Sequence, residues 1–354
     1  MEKVIRMSHS NPAIAIRLLA VFTAFSGAAI AQERTVPARA IPTPTTVSPE
    51  LQGIIAAPWT GSKAPMSLTA AEWKDLRKRM DDGQAQALQT TKQKLGVTVS
   101  AERIAGVRVY RVKPAVVAPE NRNRILVHVH GGAYVFGGGE AAAAEAVLMA
   151  HFGRIEIVSV DYRMPPDFPY PAALDDALAV WKDVAKSRNP GHVGLFGTST
   201  GGGMTLALVL KLKDLKLQLP GAIMAGTPWA DLTKTGDTYF TNELVDNVLG
   251  TNDGMLEAAA KLYAGGHNLK EPLLSPVYGD FTGFPPAILT SGTRDLFLSL
   301  TVLTHRKLRR AGVEAELQVF EGMSHAQYNF DPYAPETKEA FSEIARFFDK
   351  HLGK

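Results

Sequence analysis

The hydrophobic pattern of the chain changes period several times, and each change marks an element. Near-continuous apolar runs occur at Ile125-Leu126-Val127-His128-Val129, at Ile155-Glu156-Ile157-Val158-Ser159-Val160, at Val193-Gly194-Leu195-Phe196 and at Ala222-Ile223-Met224-Ala225. Such runs predict strands buried on both faces. Helical stretches separate them, including Ala141 to Ala150 and Ala172 to Ala185. Alternating apolar strands and helices predict an α/β fold, a parallel sheet with helices on both faces. Two more strands are expected at Ala287-Ile288-Leu289-Thr290 and from Glu314 to Phe320. Ahead of these, Val97-Thr98-Val99 and Val107 to Val112 alternate, as antiparallel strands at a sheet edge do. An amphipathic helix is expected from Pro335 to about His351.

Other stretches break this alternation. Residues 32–66 are rich in proline and read as an extended or partly disordered lead-in. Residues 67–96 read as N-terminal cap helices, opened by Thr69 with Glu72 three positions on and broken near Gly83. Trp73, Leu76 and Met80 share one helical face. Residues 97–354 form the main domain, with an insertion at about 230–276 that interrupts a strand-to-strand passage. Insertions there usually build lids or pockets.

The first 31 residues fit a signal peptide: Lys3 and Arg6, an apolar segment, then Ala29-Ile30-Ala31 before Gln32. The uninterrupted apolar run after Arg17 is short for a stable membrane anchor. The expected location is therefore periplasmic or secreted. A net charge of +3 without a Lys/Arg block leaves nucleic-acid binding no electrostatic footprint. The absence of cysteine excludes disulfides, thiol catalysis and Cys-bound metal.

The candidate chemistry centres on Gly197-Thr198-Ser199-Thr200-Gly201, between an apolar strand and a helix. G-x-S-x-G in that context is a nucleophile elbow. A serine hydroxyl is a weak nucleophile and needs a base. In this architecture the order is serine, acid, histidine. Asp295 and His325 follow Ser199 in that order, each on a loop just after a strand. His325 would take the Ser199 proton, and Asp295 would fix the tautomer. An oxyanion needs N–H donors. The loop His130-Gly131-Gly132-Ala133-Tyr134 offers Gly132 and Ala133, with Gly131 leading into them, and Thr200 follows the nucleophile. The expected substrate pocket includes Tyr134, Phe136, Trp229 and Tyr239. His128 and His130 share a strand face, but no third ligand stands nearby, so no metal is expected.

These stretches resemble the hormone-sensitive-lipase-like, bacterial family IV, esterases of the α/β-hydrolases. Asp161-Tyr162-Arg163-Met164-Pro165-Pro166, Pro169-Tyr170-Pro171-Ala172-Ala173 and Pro228-Trp229-Ala230-Asp231-Leu232 carry the likeness further. The resemblance implies an eight-stranded, mostly parallel sheet with a helical cap. It also implies cofactor-free hydrolysis of a small-molecule ester, usually with a short acyl chain. A lactonase or amide hydrolase would use the same machinery. A non-catalytic ligand-binding relative would have lost the histidine, and His325 argues against that.

The chain departs from the family at several positions. Thr198 and Thr200 flank the serine where relatives often carry Gly-Asp-Ser-Ala-Gly. Ala133 replaces the last glycine of His-Gly-Gly-Gly, so its N–H is expected to be delivered with φ < 0. Leu296 stands where proline commonly follows the acid.

Overall fold

Period-two side-chain direction sorts the strands onto two cores. The computed structural model describes residues 33–353. Its eight strands run in the order β1-β2-β4-β3-β5-β6-β7-β8. They are β1 (Thr98–Ile104), β2 (Val107–Lys113), β3 (Ile125–Val129), β4 (Ile157–Val160), β5 (Val193–Thr198), β6 (Ala222–Gly226), β7 (Ala287–Gly292) and β8 (Ala315–Phe320). β2 pairs antiparallel with both β1 and β4, and every other neighbouring pair is parallel. Ile125, Val127 and Val129 of β3 join one core, whereas Leu126 joins the other. β5, β6 and β7 divide in the same way: Leu195, Ile223 and Leu289 against Phe196, Met224 and Ile288. A strand buried on both faces has no polar positions to alternate, which is why these runs are continuous.

The helices supply the other half of each core. They are α1 (Pro49–Ala56), α2 (Ala70–Leu95), α3 (Ala144–Gly153), α4 (Ala172–Ser187), α5 (Thr200–Asp214), α6 (Thr238–Thr241), α7 (Met255–Ala264), α8 (Leu298–Arg310) and α9 (Pro335–His351). α4, α5 and α8 cover one face with Trp181, Leu208 and Leu300. α3 and α9 cover the other with Val147, Phe341 and Phe348, and Leu51 and Ile55 of α1 add to it. A third, smaller cluster joins Trp73 of α2, Val135 and Phe136 after β3, and Ala259 of α7. This cluster packs α2 and α7 against the segment after β3. From Thr43 onward the chain forms one compact unit, and residues 33–42 belong to another and carry no helix or strand.

Two expectations need revision. The proline-rich stretch contains α1, whose first turn is capped by the Ser48 hydroxyl accepting from Leu51 N. That hydroxyl also donates to Glu336 at 2.8 Å, a partner 288 residues away that local sequence cannot reveal. The helix at 70–95 does not break at Gly83. A capping box between Thr69 and Glu72 and a left-handed Gly96 at the end stabilise 26 residues as one helix, offsetting one poor helix former. The signal-peptide reading of residues 1–31 lies outside the described residues.

A Cβ at Gly83 would meet nothing within 4 Å. Gly83→Ala is therefore expected to stabilise the fold by about 0.5–1 kcal/mol, by restricting the unfolded chain and improving helix propensity. Chemical denaturation measures this, and an unchanged or lower midpoint would refute it.

Candidate active site

Ser199 sits between β5 and α5 with φ 64 and ψ −123, a conformation that costs of order 1–3 kcal/mol for a residue with a side chain. Neighbouring strands hold it there. Ser199 N donates to Gly226 O at 2.8 Å, and Ser199 O accepts from Trp229 N and Gly203 N at 3.0 Å. Two glycines make the bend possible. A Cβ at Gly197 or at Gly201 would lie 2.1 Å from Val129 O. The last carbonyl of β3 thus fills the space where side chains would stand. Among the described residues no hydrogen bond occupies the N–H groups of Thr200, Gly201 or Gly202, so the start of α5 presents donors beside the serine.

The glycine loop after β3 approaches the same point. A Cβ at Gly131 would lie 2.8 Å from Thr198 O, and one at Gly132 would lie 2.3 Å from Phe136 O. Gly132 has φ 114, while Ala133 and Tyr134 have φ 54 and 62. The expected negative φ at Ala133 is therefore corrected: the residue is left-handed. The tight turn in which Val135 N and Phe136 N both donate to Gly132 O imposes this. Beyond the turn, Asp81 of α2 accepts from Gly137 N at 2.6 Å and Gly138 N at 3.1 Å. Asp161 accepts from Gly139 N at 3.0 Å. Burial raises the pKa of Asp81, against the backbone N–H groups that favour its ionised form. His130 braces the loop by stacking on Tyr162 and holding Gly131 O with Nδ1 at 2.7 Å. Its burial lowers its pKa to about 3, so the ring is neutral near pH 7.

Asp295, after β7, and His325, after β8, meet at 3.1 Å through Oδ1 and Nδ1. Asp295 is fully buried. Burial alone would raise its pKa. The adjacent His325, with hydrogen bonds from Thr227 and Phe297 N, outweighs burial and holds the carboxyl below its ordinary value. Ser291 Oγ also donates to it at 2.8 Å. His325 Nε2 has no hydrogen-bond partner, and His325 and Ser199 line the same cavity. Such bonds often tighten only when substrate is present. The arrangement can hold a histidine in one tautomer with its second nitrogen turned to a cavity that also carries a hydroxyl and free N–H donors.

That cavity has a volume of about 870 Å³. Gly131, Gly132, Ala133 and Phe136 line it, joined by Met80 and Leu88 of α2, Leu148 of α3, and Leu256 of α7. Pro58, Trp59 and Ser62 also line it, so the proline-rich lead-in forms part of the wall. Tyr134, Trp229 and Tyr239 do not. Tyr134 stacks on Tyr263 at 3.7 Å. Trp229 is buried, donates to Tyr239 OH at 3.1 Å and stacks on Phe297, whose edge meets His325 at 4.8 Å. These aromatics support the site from behind, packed into the core on one face of the sheet.

Sequence reasoning missed two carboxylates. Glu145, within a run of alanines on α3, accepts from Thr198 Oγ1 at 2.6 Å and contacts His128 Nε2 at 3.1 Å. Thr198 gives its only proton to Glu145, so Tyr328 OH, at 2.7 Å, donates to Thr198. This explains the threonine before Ser199: an aspartate there would face a second buried carboxylate. His128 also contacts Ser159 Oγ at 2.9 Å, so its ring is fully engaged. Asp246, in the insertion, accepts from Leu296 N at 2.8 Å and His325 N at 3.3 Å. No local motif marks either residue. Asp246 is one of several acids in the insertion, and nothing in the sequence separates it from the others.

Fold and site together define an α/β-hydrolase with a serine at its elbow. The family model described as "alpha/beta hydrolase fold" matches residues 126–329, and the chain belongs to that family. A solved structure of esterase E25 is similar with 43% identity and a TM-score of 0.87, covering 90% of this chain and 99% of that one. An esterase from the bacterial hormone-sensitive lipase family is similar with 26% identity and a TM-score of 0.72, over 86% of this chain and 99% of that one. An acetyl-hydrolase of Streptomyces hygroscopicus is 29% identical over 65% of this chain and 77% of its own length.

The glycine contacts generate a stability prediction. Gly201→Ala must displace the β3 backbone, because the 2.1 Å contact is with Val129 O and not with a flexible side chain. A loss of about 1–3 kcal/mol or more is expected. Thermal denaturation against wild type measures it, and a Tm within a degree of wild type would refute it.

Proposed function

We propose that the protein is a serine carboxylesterase acting on short-chain carboxylic esters. The observation that carries this reading is the placement of His325, held by Asp295 on one side and facing the Ser199 cavity on the other. Ser199 Oγ attacks the ester carbonyl as His325 Nε2 takes its proton. The N–H groups of Gly132, Ala133 and Thr200 receive the oxyanion; losing one such donor typically costs about 3 kcal/mol of transition-state stabilisation. His325 returns the proton to the departing alcohol. It then activates water, which frees the acid from the acyl-enzyme. Relatives described as esterase and acetyl-hydrolase support the reaction class.

The triad reading predicts non-additive losses. Ser199→Ala and His325→Ala should each lower kcat by several orders of magnitude, and the double variant by little more. Asp295→Asn should cost less than removing the serine. An organophosphonate should add one mass increment, on Ser199. Labelling elsewhere, or full activity in Ser199→Ala, overturns the reading.

Chain-length preference follows from the cavity. Its apolar wall suits acetate to medium acyl groups, and Phe136 alone among the expected aromatics crowds it. On a p-nitrophenyl series, kcat/KM should peak at short chains and fall by palmitate. A continuous rise to palmitate would make the protein a lipase instead.

A further inference from the structure

We propose that Asp246 is a positioning residue that holds the acid-bearing loop and the histidine-bearing loop in catalytic register. The inference rests on the serine-esterase reading and adds a residue to it. Asp246 lies in a tight turn of the insertion and is fully buried. Its Oδ1 accepts from Val248 N at 2.8 Å and Leu249 N at 2.9 Å, closing its own turn. Its Oδ2 accepts from Leu296 N, next to the acid, and from His325 N, the histidine itself. One carboxylate oxygen thus joins residues 295–296 to residue 325. The N–H at position 296 exists because leucine, not proline, follows Asp295.

Neighbouring residues give the same insertion two further holds. Asn242 Nδ2 donates to Asp295 O at 2.9 Å, steadying the acid loop alone. Asn247 N donates to Ser324 Oγ at 3.1 Å, and its side chain accepts from Gln327 Nε2 at 2.8 Å, steadying the histidine loop. Of these three insertion residues, Asp246 alone bonds both loops.

Its four bonds all come from N–H donors. An ionised carboxylate alone can accept at every one of these positions. An asparagine could keep the turn with its oxygen, but would turn an NH₂ toward Leu296 N and His325 N. Asp246→Asn therefore spares the local turn and cuts the bridge. Burial first, then the Asp295 charge, raise the Asp246 pKa to about 6, while His325 and the bound N–H groups oppose them. Asp295 and His325 are the titratable groups facing it. The proton returns as pH falls through about 6, so the bridge weakens on the acid side.

Asp246→Asn should lower kcat about 10- to 100-fold with KM within about twofold, the effect of small misplacement of reacting groups. It also removes a negative charge beside the imidazolium, so the acid limb of kcat/KM should move to lower pH. Loss of stability with unchanged kcat, KM and pH profile would mean a merely structural role and overturn the proposal. Wild-type hydrogen exchange provides a readout that needs no variant. Protection of peptides covering Leu296 and His325, corrected for intrinsic rate, should fall together between pH 7 and pH 5. Independent behaviour of the two peptides would overturn it. Ser199→Ala separates the two readings: if it is inactive while Asp246→Asn retains wild-type kcat, only this proposal fails.

Discussion

The carbonyl of Val129 is the fixed point of this structure. It occupies the place that side chains at 197 and 201 would fill. That contact brings the end of β3, the end of β5 and the start of α5 to one spot. The glycine loop therefore leaves β3 beside the serine, and the N-terminal donors of α5 point into the same space. Strain at Ser199, at Ala133 and at Tyr134 follows from crowding three backbones together. Large, continuous cores on both sheet faces hold that strain in place.

Around this point the protein buries carboxylates and answers each with donors. Asp295 receives the Ser291 and Thr227 hydroxyls, Phe297 N and the histidine. Glu145 receives Thr198 and meets His128. Asp81 and Asp161 hold the segment after the glycine loop. A buried charge is costly unless its lone pairs are filled, and the filled ones fix geometry as a consequence. Each carboxylate joins segments distant in sequence, so the site is assembled by polar contacts laid over an apolar frame.

The apolar frame was legible because period is a local property. β3, β5 and β6 announce themselves by continuous runs, and the amphipathic α9 by its spacing. Ser199, Asp295 and His325 could be singled out as a candidate set because the fold dictates the order and the loops in which such residues stand. Glu145 was not, because an acid inside an alanine-rich helix looks like a solvated one until its Thr198 partner is seen. Trp229 and Tyr239 were read as pocket walls because aromatics near an insertion suggest a lining, yet three-dimensional packing turned them inward. The helix at 70–95 ran through Gly83 because two well-formed caps outweighed one residue. Helix α1 carries a local Ser48 cap, but the proline-rich setting masked it, and its tie to Glu336 lies in no window of sequence.

The insertion's grip on the loops that carry Asp295 and His325 bears on how such enzymes diversify. A segment that only roofed a pocket could be exchanged between relatives as a free module, altering substrate range and nothing else. Here Asn242, Asp246 and Asn247 reach beneath the roof into the loops that carry the acid and the histidine. A chimera that imports a foreign insertion without these side chains, or sets them against a proline at 296, inherits a mismatched joint. Recombination boundaries should therefore be drawn to move the insertion and the two loops as one hereditary unit.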